Sequence, residues 1–425
     1  MDMKPTAPLP KTSLLVLLSL LLIVGTGCSG GIPFGRPSGS SGGTPPLSAT
    51  TAPVTVPAVP PGLSVSAAPV VFSRTNEPSP RPRHPRPSRF PGSSDISYRN
   101  RVFTEDATWS GQVLVEGSLT IAPQATLFIT PGATVRFRPT TDGGSGFLLI
   151  RGRIQAVGAK DSPITFTSDE INPAPGDWQG IMVLDSSKNN ILEWCRVESA
   201  VTGIAVEFSE LALRQTSMTR SRTGMAVRNS RVVITGGGAS DCMTGFSFKN
   251  GDADLDGVKL SGNHRGITVN GGSLFLSGSE VSGSERIAIE ATGTRLRFEG
   301  SSFVRNGTGV LLTGCRGDLV GNRIEENRTV GLELADSPLK ITGNRITGNG
   351  TTGVMVRSGG ATFWNNTLDK NGETELAVMG AEEVAAPGNW WGSADPDRIR
   401  GRIRVGEAGG AVLFTPLLEV PPSFP

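Results

Sequence analysis

Residues 331–356 read Gly331-Leu-Glu-Leu-Ala-Asp-Ser-Pro-Leu-Lys-Ile-Thr-Gly-Asn-Arg-Ile-Thr-Gly-Asn-Gly-Thr-Thr-Gly353-Val-Met-Val356. The unit Gly-apolar-x-apolar occurs twice in this stretch, at Gly331-Leu332-x-Leu334 and Gly353-Val354-x-Val356. Working outward, it stands also at Gly203-Ile204-x-Val206, Gly224-Met225-x-Val227, Gly245-Phe246-x-Phe248, Gly266-Ile267-x-Val269 and Gly309-Val310-x-Leu312. Degenerate copies at Ile287-x-Ile289 and Leu376-x-Val378 keep the phase. The period is 21 or 22 residues, too short for a unit that folds alone, so each copy must bury its apolar face against its neighbours.

Each period holds three short apolar alternations separated by Gly, Asn, Ser and Asp, as in Leu332 with Leu334, Leu339 with Ile341, and Asn344 with Ile346. Alternation of period two broken by turn residues is a strand-turn pattern. Three strands closed after one period make one coil of a solenoid. The chain therefore reads as all-β, a single-stranded parallel β-helix whose coils stack about 4.8 Å apart. Equivalent positions then form ladders. One runs Ser221, Cys242, Asn263, Ser284, Asn306, Asn327, Asn349, Asn371, and a second, inward-facing one runs Cys195, Thr216, Gly237, Val258, Ser279, Ser301, Asn322, Asn344, Asn366, Asn389. Asn suits such turns, because it tolerates left-handed backbone and stacked amides bond from coil to coil. The Asn-x-Thr triplets at Asn306, Asn327, Asn349 and Asn365 follow from this repetition and need not be glycan acceptors.

The chain divides into three parts: a signal segment at 1–27, a Pro/Ser/Gly-rich tether at 28–95 and the β-helix with its C-terminal cap at 96–425. Lys4 and Lys11 precede an apolar run from Leu14 to Val24, followed by Gly25-Thr26-Gly27-Cys28. That run is too short for a stable transmembrane helix and suits the apolar region of an export signal. The segment resembles a bacterial lipoprotein signal, which implies lipidation of Cys28, attachment to a membrane through that lipid, and an outer-membrane or cell-surface address. The tether has few large apolar residues, so it cannot offset its ordering entropy and is expected to be disordered. As a flexible chain its mean reach is roughly 45 Å. Within it Arg81, Arg83, His84, Arg86 and Arg89 alternate with prolines, a stripe that fits a solvated spacer or contact with anionic headgroups or polysaccharide.

Charge is almost balanced, with 40 Lys and Arg against 38 Asp and Glu. The basic residues are scattered through the repeats, so nothing marks a nucleic-acid surface. Besides Cys28 there are Cys195, Cys242 and Cys315. Cys195 and Cys242 lie on different ladders about two coils apart, too distant for a disulfide, and read as small buried residues. No CxxC or Cys-His cluster has metal-site spacing.

Ahead of the regular repeat, Leu119-Thr-Ile-Ala-Pro-Gln-Ala-Thr-Leu127, Ile129-Thr-Pro-Gly-Ala-Thr-Val-Arg-Phe137 and Gly176-Asp-Trp-Gln-Gly-Ile181 resemble the opening coils of secreted right-handed β-helix proteins. Gly388-Asn-Trp-Trp-Gly-Ser-Ala-Asp-Pro396 and Val412-Leu-Phe-Thr-Pro416 resemble their closing coil and cap. The resemblance spans residues 105–420 and implies the right-handed parallel β-helix of the pectate-lyase-like superfamily. That group includes pectate lyases, polygalacturonases, alginate epimerases, NosD copper-processing proteins and uncharacterised surface lipoproteins. The Tyr-Gly-x-Asp-Pro-x-Asp motif of the epimerases is missing, and so are the Asn-Thr-Asp and Gly-His-Gly elements of polygalacturonases. NosD-like metal handling would need clustered Met, His or Cys ligands, which the sequence does not show.

Two sets of residues remain as candidate sites. Asp252, Asp254 and Asp256 fall on the outer side of one strand, where they form either a Ca²⁺ site or a solvated acidic stripe; their spacing resembles the start of a calcium loop, but Asn263 stands where the closing acid belongs. Apart from Ca²⁺ no cofactor is implied. The outward ladder Ser302, Arg323, Arg345, Thr367, Trp390 puts two guanidiniums beside an indole, with Glu325 and Asp369 on the adjacent outward ladder. Arginines recognise carboxylates and an indole face stacks on sugar rings, so this stripe is either an acidic-glycan site or a charged solvated face. Glu325 and Asp369 also stand near the separation of a catalytic carboxylate pair. Because the repeats from Gly203 to Asn371 contain almost no insertions, their outer faces should be flat. The expectation is a lipid-anchored envelope protein presenting a non-catalytic surface to a polysaccharide or an envelope protein; the alternative is a polysaccharide lyase, hydrolase or epimerase.

Overall fold

The computed structural model describes residues 95–139, 146–407 and 409–423. The signal segment, Cys28 and the basic stripe of the tether lie outside the described residues. From Ile96 onward the chain winds as a parallel β-helix with three faces. In one representative coil the first face is Thr202–Glu207, the second Glu210–Arg214 and the third Ser217–Thr219. Each pairs in parallel with its equivalent one coil later, Thr223–Arg228, Arg231–Thr235 and Gly238–Ser240. The second face is a 14-stranded sheet. The first and third join into a 25-stranded sheet through Gln112–Ile121, which turns the corner between them without a break.

Alternation sets what each strand buries. In Thr202–Glu207 the side chains of Ile204 and Val206 are fully buried while Ala205 faces out. The glycine that opens each repeat has a steric reason: a Cβ at Gly224 would come within 2.6 Å of the Gly245 carbonyl oxygen on the next coil. One continuous apolar core runs from Phe103 to Ile399. At the fully buried positions, taking each large apolar side chain out of water stabilises the fold by roughly 1.5–3 kcal/mol.

Both expected ladders are present as hydrogen-bonded columns. Asn306 N donates to Asn327 Oδ1 at 3.0 Å, Asn327 N to Asn349 Oδ1 at 3.1 Å, and Asn349 N to Asn371 Oδ1 at 3.0 Å. The second column passes from Ser301 through Asn322, Asn344 and Asn366 to Asn389 with backbone donors at 2.8–3.0 Å. Each side chain occupies a turn that would otherwise bury an unpaired backbone N–H. Asn306, Asn327 and Asn349 are at most 1% exposed, so those triplets are structural. A third column at the remaining corner was not anticipated: Ser186 N donates to Ser209 Oγ, Ser209 N to Ser230 Oγ, and Cys315 N to Ser337 Oγ, each at 3.0 Å. Cys315 is thus a buried ladder residue like Cys195 and Cys242.

The ends are closed by different means. At the N-terminal end Tyr98 stacks on Trp109 at 5.7 Å and meets Phe103 edge-on at 5.0 Å, with the Arg101 guanidinium over the Phe103 ring at 4.9 Å. At the C-terminal end Asp395 caps the short helix Pro396–Arg400, whose Ile399 seals the last coil.

Candidate functional site

The third face brings together the residues singled out from the sequence. Ser302, Arg323, Arg345 and Thr367 lie in register on consecutive coils, and a β-bridge adds Trp390 after Thr367. Glu325, Thr347 and Asp369 form the adjacent outward ladder. Glu325 does not stand free. Arg323 Nη2 approaches its Oε2 at 2.7 Å, Arg345 Nε its Oε1 at 2.8 Å, and Thr347 Oγ1 donates to Oε1 at 3.3 Å. Two guanidiniums thus fold over one carboxylate, leaving it 7% exposed while their own side chains stay about half exposed. The trio keeps one surplus positive charge, spread over two adjacent coils.

Trp390 is half-buried, and its neighbour Trp391 is 3% exposed, packed edge-on against Phe414 in the cap. The most exposed indole belongs instead to Trp364, 55% accessible on the second face. Its ring lies against the backbone of Gly388, where a Cβ would come within 2.9 Å. Glu325 and Asp369 are two coils apart, about 10 Å by coil stacking. Asp369 is half-buried against the Gly392 turn.

Asp252, Asp254 and Asp256 all point outward from the strand Asp252–Asp256, as expected. Successive ones are about 7 Å apart along the strand. Ser273 Oγ donates to Asp252 at 2.5 Å and Ser277 Oγ to Asp256 at 2.8 Å, while Asp254 lies between Val233 and Phe275. Each carboxylate thus has its own neighbours, and the three do not converge on one point. His264 pairs with Glu285 at 2.9 Å; that hydrogen bond and the imidazole charge lower the Glu285 carboxyl below its usual range.

A charged knot near the N-terminal end was not read from the sequence. Arg136 Nη1 meets Asp169 Oδ1 at 2.7 Å with both side chains at most 3% exposed, and Arg138 ties Asp169 to Glu116. It pins residues 169–178, an excursion from the coil, against the third face. Alternating Arg136 and Arg138 on one strand was the available signal, since both fall on the outward side of Thr134–Arg138. The three cysteines are buried and free. Burial pushes the Cys195 thiol up to about 12 and the Cys242 thiol up to about 11, and raises Cys315 as well.

Comparisons with known proteins meet this geometry at the level of fold. Residues 244–389 match the family described as right handed beta helix region, and residues 102–212 match pectate-lyase like beta helix domain. No curated protein matches the chain. Among solved structures it is similar to the periplasmic alginate epimerase AlgG, at 12% identity over 66% of this chain and 76% of that one, with a TM-score of 0.37. It is similar to the mannuronan C-5 epimerase AlgE6 A-module of Azotobacter vinelandii, at 15% identity over 77% and 89%, with a TM-score of 0.40. Pectate lyase Pel9A gives 14% identity, 71% of each chain and a TM-score of 0.27. The chain is a right-handed parallel β-helix repeat protein.

Proposed function

We propose that this chain is an exported, lipid-anchored protein of the bacterial envelope whose third face holds an acidic glycan without transforming it. The observation that carries the reading is the Arg323–Glu325–Arg345 trio. Its half-exposed guanidinium forks sit on adjacent coils in the ladder that leads to Trp390, and Arg forks recognise carboxylates in two-pronged fashion. A polymer lying along the solenoid axis would set successive sugar carboxylates against successive coils. The carboxylate nearest to that path, Glu325, has both oxygens engaged by arginine, which suits a restraint on the two forks and not proton transfer to a glycosidic bond.

The test is binding and turnover of the purified mature chain with polygalacturonate, alginate and neutral dextran, with and without Ca²⁺. Retention of the acidic polymers, lost in Arg323→Ala with Arg345→Ala and unaccompanied by product, is the expected result. Product formation would overturn the non-catalytic reading and direct attention to Glu325 and Asp369. Dependence on Ca²⁺ that disappears in Asp254→Asn would assign the cation to the Asp252, Asp254 and Asp256 strand. Membrane attachment is tested separately: Cys28→Ser should release the protein from the membrane fraction, and retention would refute the lipid anchor.

A further inference from the structure

Residues at the corners of the solenoid adopt positive φ on coil after coil. Glycine and asparagine do so readily, whereas bulky side chains do not. At the corner leading into the second face, Asn229, Asn250, Gly271, Gly293 and Gly314 obey this rule. Phe208 breaks it. Its φ is 48°, and its side chain is 60% exposed. The residue therefore combines backbone strain with an exposed ring and gains little burial in return. One coil earlier, at the opposite corner of the same face, Trp194 has φ 49° where later coils place Gln215, Gly236 and Gly257. Two aromatic residues thus bracket the second face on neighbouring coils.

Between them Ile191, Ala212 and Val233 stack in one outward ladder and floor a groove of about 430 Å³. Its wall is the turn at residues 185–189, five residues long where the next coils use two. The turn is fixed from beneath. Asn190, 2% exposed, donates to Ser186 Oγ at 3.0 Å and to the Lys188 carbonyl at 2.9 Å, and accepts from Ile154 N at 3.0 Å. Arg153 Nε donates to the Asn189 carbonyl at 3.1 Å. Lys188 is therefore displayed on a rigid wall, with Arg153 and Arg231 along the same rim. Glu210 is the one carboxylate lining this groove and is in no ion pair among the described residues, whereas a fourth lining cation, Arg214, is already held by Glu193 at 3.5 Å.

We infer that this groove, together with the adjoining hollow that Phe208 lines and that shares Glu210 and Arg231 with it, docks another protein through a segment that presents an aliphatic ridge flanked by carboxylates. The middle of the floor is aliphatic and Gln155 is the one hydrogen-bonding side chain in line with it, whereas a sugar ring exposes several hydroxyls that need partners. An apolar centre edged by arginines, with the exposed Phe208 ring in the adjoining hollow, has the make-up of a protein-interface hot spot. Three cations against one unpaired carboxylate call for an acidic partner. The surface is on a different face and different coils from the Arg323 stripe, so it stands or falls apart from the glycan reading.

The experiment uses the mature chain with two synthetic peptides that share a leucine ridge, one flanked by Glu and one by Lys, read by fluorescence anisotropy. The Glu peptide should bind saturably and the Lys peptide should not. Lys188→Glu with Arg231→Glu should weaken binding about tenfold or more. Phe208→Asn should weaken it comparably while raising Tm, because asparagine fits the left-handed corner and removes an exposed ring. A fall in Tm for Phe208→Asn would make Phe208 a packing residue and overturn the assignment. Absence of Glu-peptide binding, equal binding of both peptides, or displacement of the Glu peptide by polygalacturonate would each overturn the proposed partner.

Discussion

Glu375 closes the first asparagine ladder, and Arg402 holds it there. Asn371, the last amide of the column, donates through its side chain to Glu375 Oε2, and Arg402 Nη2 reaches Glu375 Oε1 at 2.8 Å. Arg402 also bonds the carbonyls of Gly372 and Glu373 at 3.0 Å. A stack of amides has an unfulfilled donor at its end, and a buried carboxylate accepts it at the cost of a charge that the cap must neutralise. Arg402→Ala leaves a 3%-exposed carboxylate unpaired, and such losses cost about 3 kcal/mol. Glu375→Gln, which keeps an acceptor and removes the charge, should cost less than that. Denaturant melts of the two variants check the order, and a larger loss for Glu375→Gln would contradict it.

Inside the column the penalty has another origin. Asn327 accepts from Asn306 N and Nδ2 and donates to the Phe303 carbonyl at 3.0 Å. Asn327→Ala orphans those groups in the interior, at about 3 kcal/mol. Because solenoid stability is a sum over neighbouring coils, the damage should stay local. Hydrogen exchange should accelerate around coils 303–349 while the amides of Val113 and Val115 keep their protection. Uniform acceleration over the whole chain would refute the nearest-neighbour picture.

The coil, its three strands and two of its ladders were legible because a period of 21 or 22 residues puts identical side chains in the same place. The third column was not, because its positions alternate among Ser, Gly, Thr and Cys, and their common property is small size at a tight corner. At the candidate site the ladder register was readable, since it follows from counting. The clamp of Arg323 and Arg345 on Glu325 was not, because it depends on which way two long side chains fold across neighbouring coils. Trp390 and Trp364 show the same limit: sequence phase gives the face of the sheet, while exposure depends on what the cap lays over it. Phe208 could have been found, as it stands in phase with Asn229 and Asn250 at a position that otherwise favours left-handed backbone.

The buried thiols make stability sensitive to alkali. Their folded values are raised above the ordinary 9.0, to about 12 for Cys195 and about 11 for Cys242, with burial the main cause. The neutral thiol is the form the fold prefers, so its contribution is fully present below pH 9 and is lost as pH rises toward the folded values. Tm should therefore fall between about pH 9 and pH 11, less steeply in Cys195→Ala with Cys242→Ala. The same burial predicts that a thiol reagent at pH 8 labels none of Cys195, Cys242 and Cys315 until denaturant is added. Rapid labelling of the folded protein would refute their place in the core.

Glu325→Gln separates the two readings of the third face. If Glu325 only restrains the arginines, removing its charge releases both forks and raises the surplus charge of the cluster from one to two. The glycan carboxylate then no longer competes with an internal one, and since a partly exposed ion pair is worth up to about 1 kcal/mol, affinity for polygalacturonate should rise a few-fold. The gain should shrink with added salt, because it comes from charges near the surface. A catalytic Glu325 predicts the opposite pattern, with binding retained and product formation lost. Isothermal titration of wild type and Glu325→Gln at two salt concentrations, with product assayed in the same samples, decides between them. Weaker binding by Glu325→Gln, with the fold intact, would mean that the carboxylate orients the arginines for the ligand instead of occupying them.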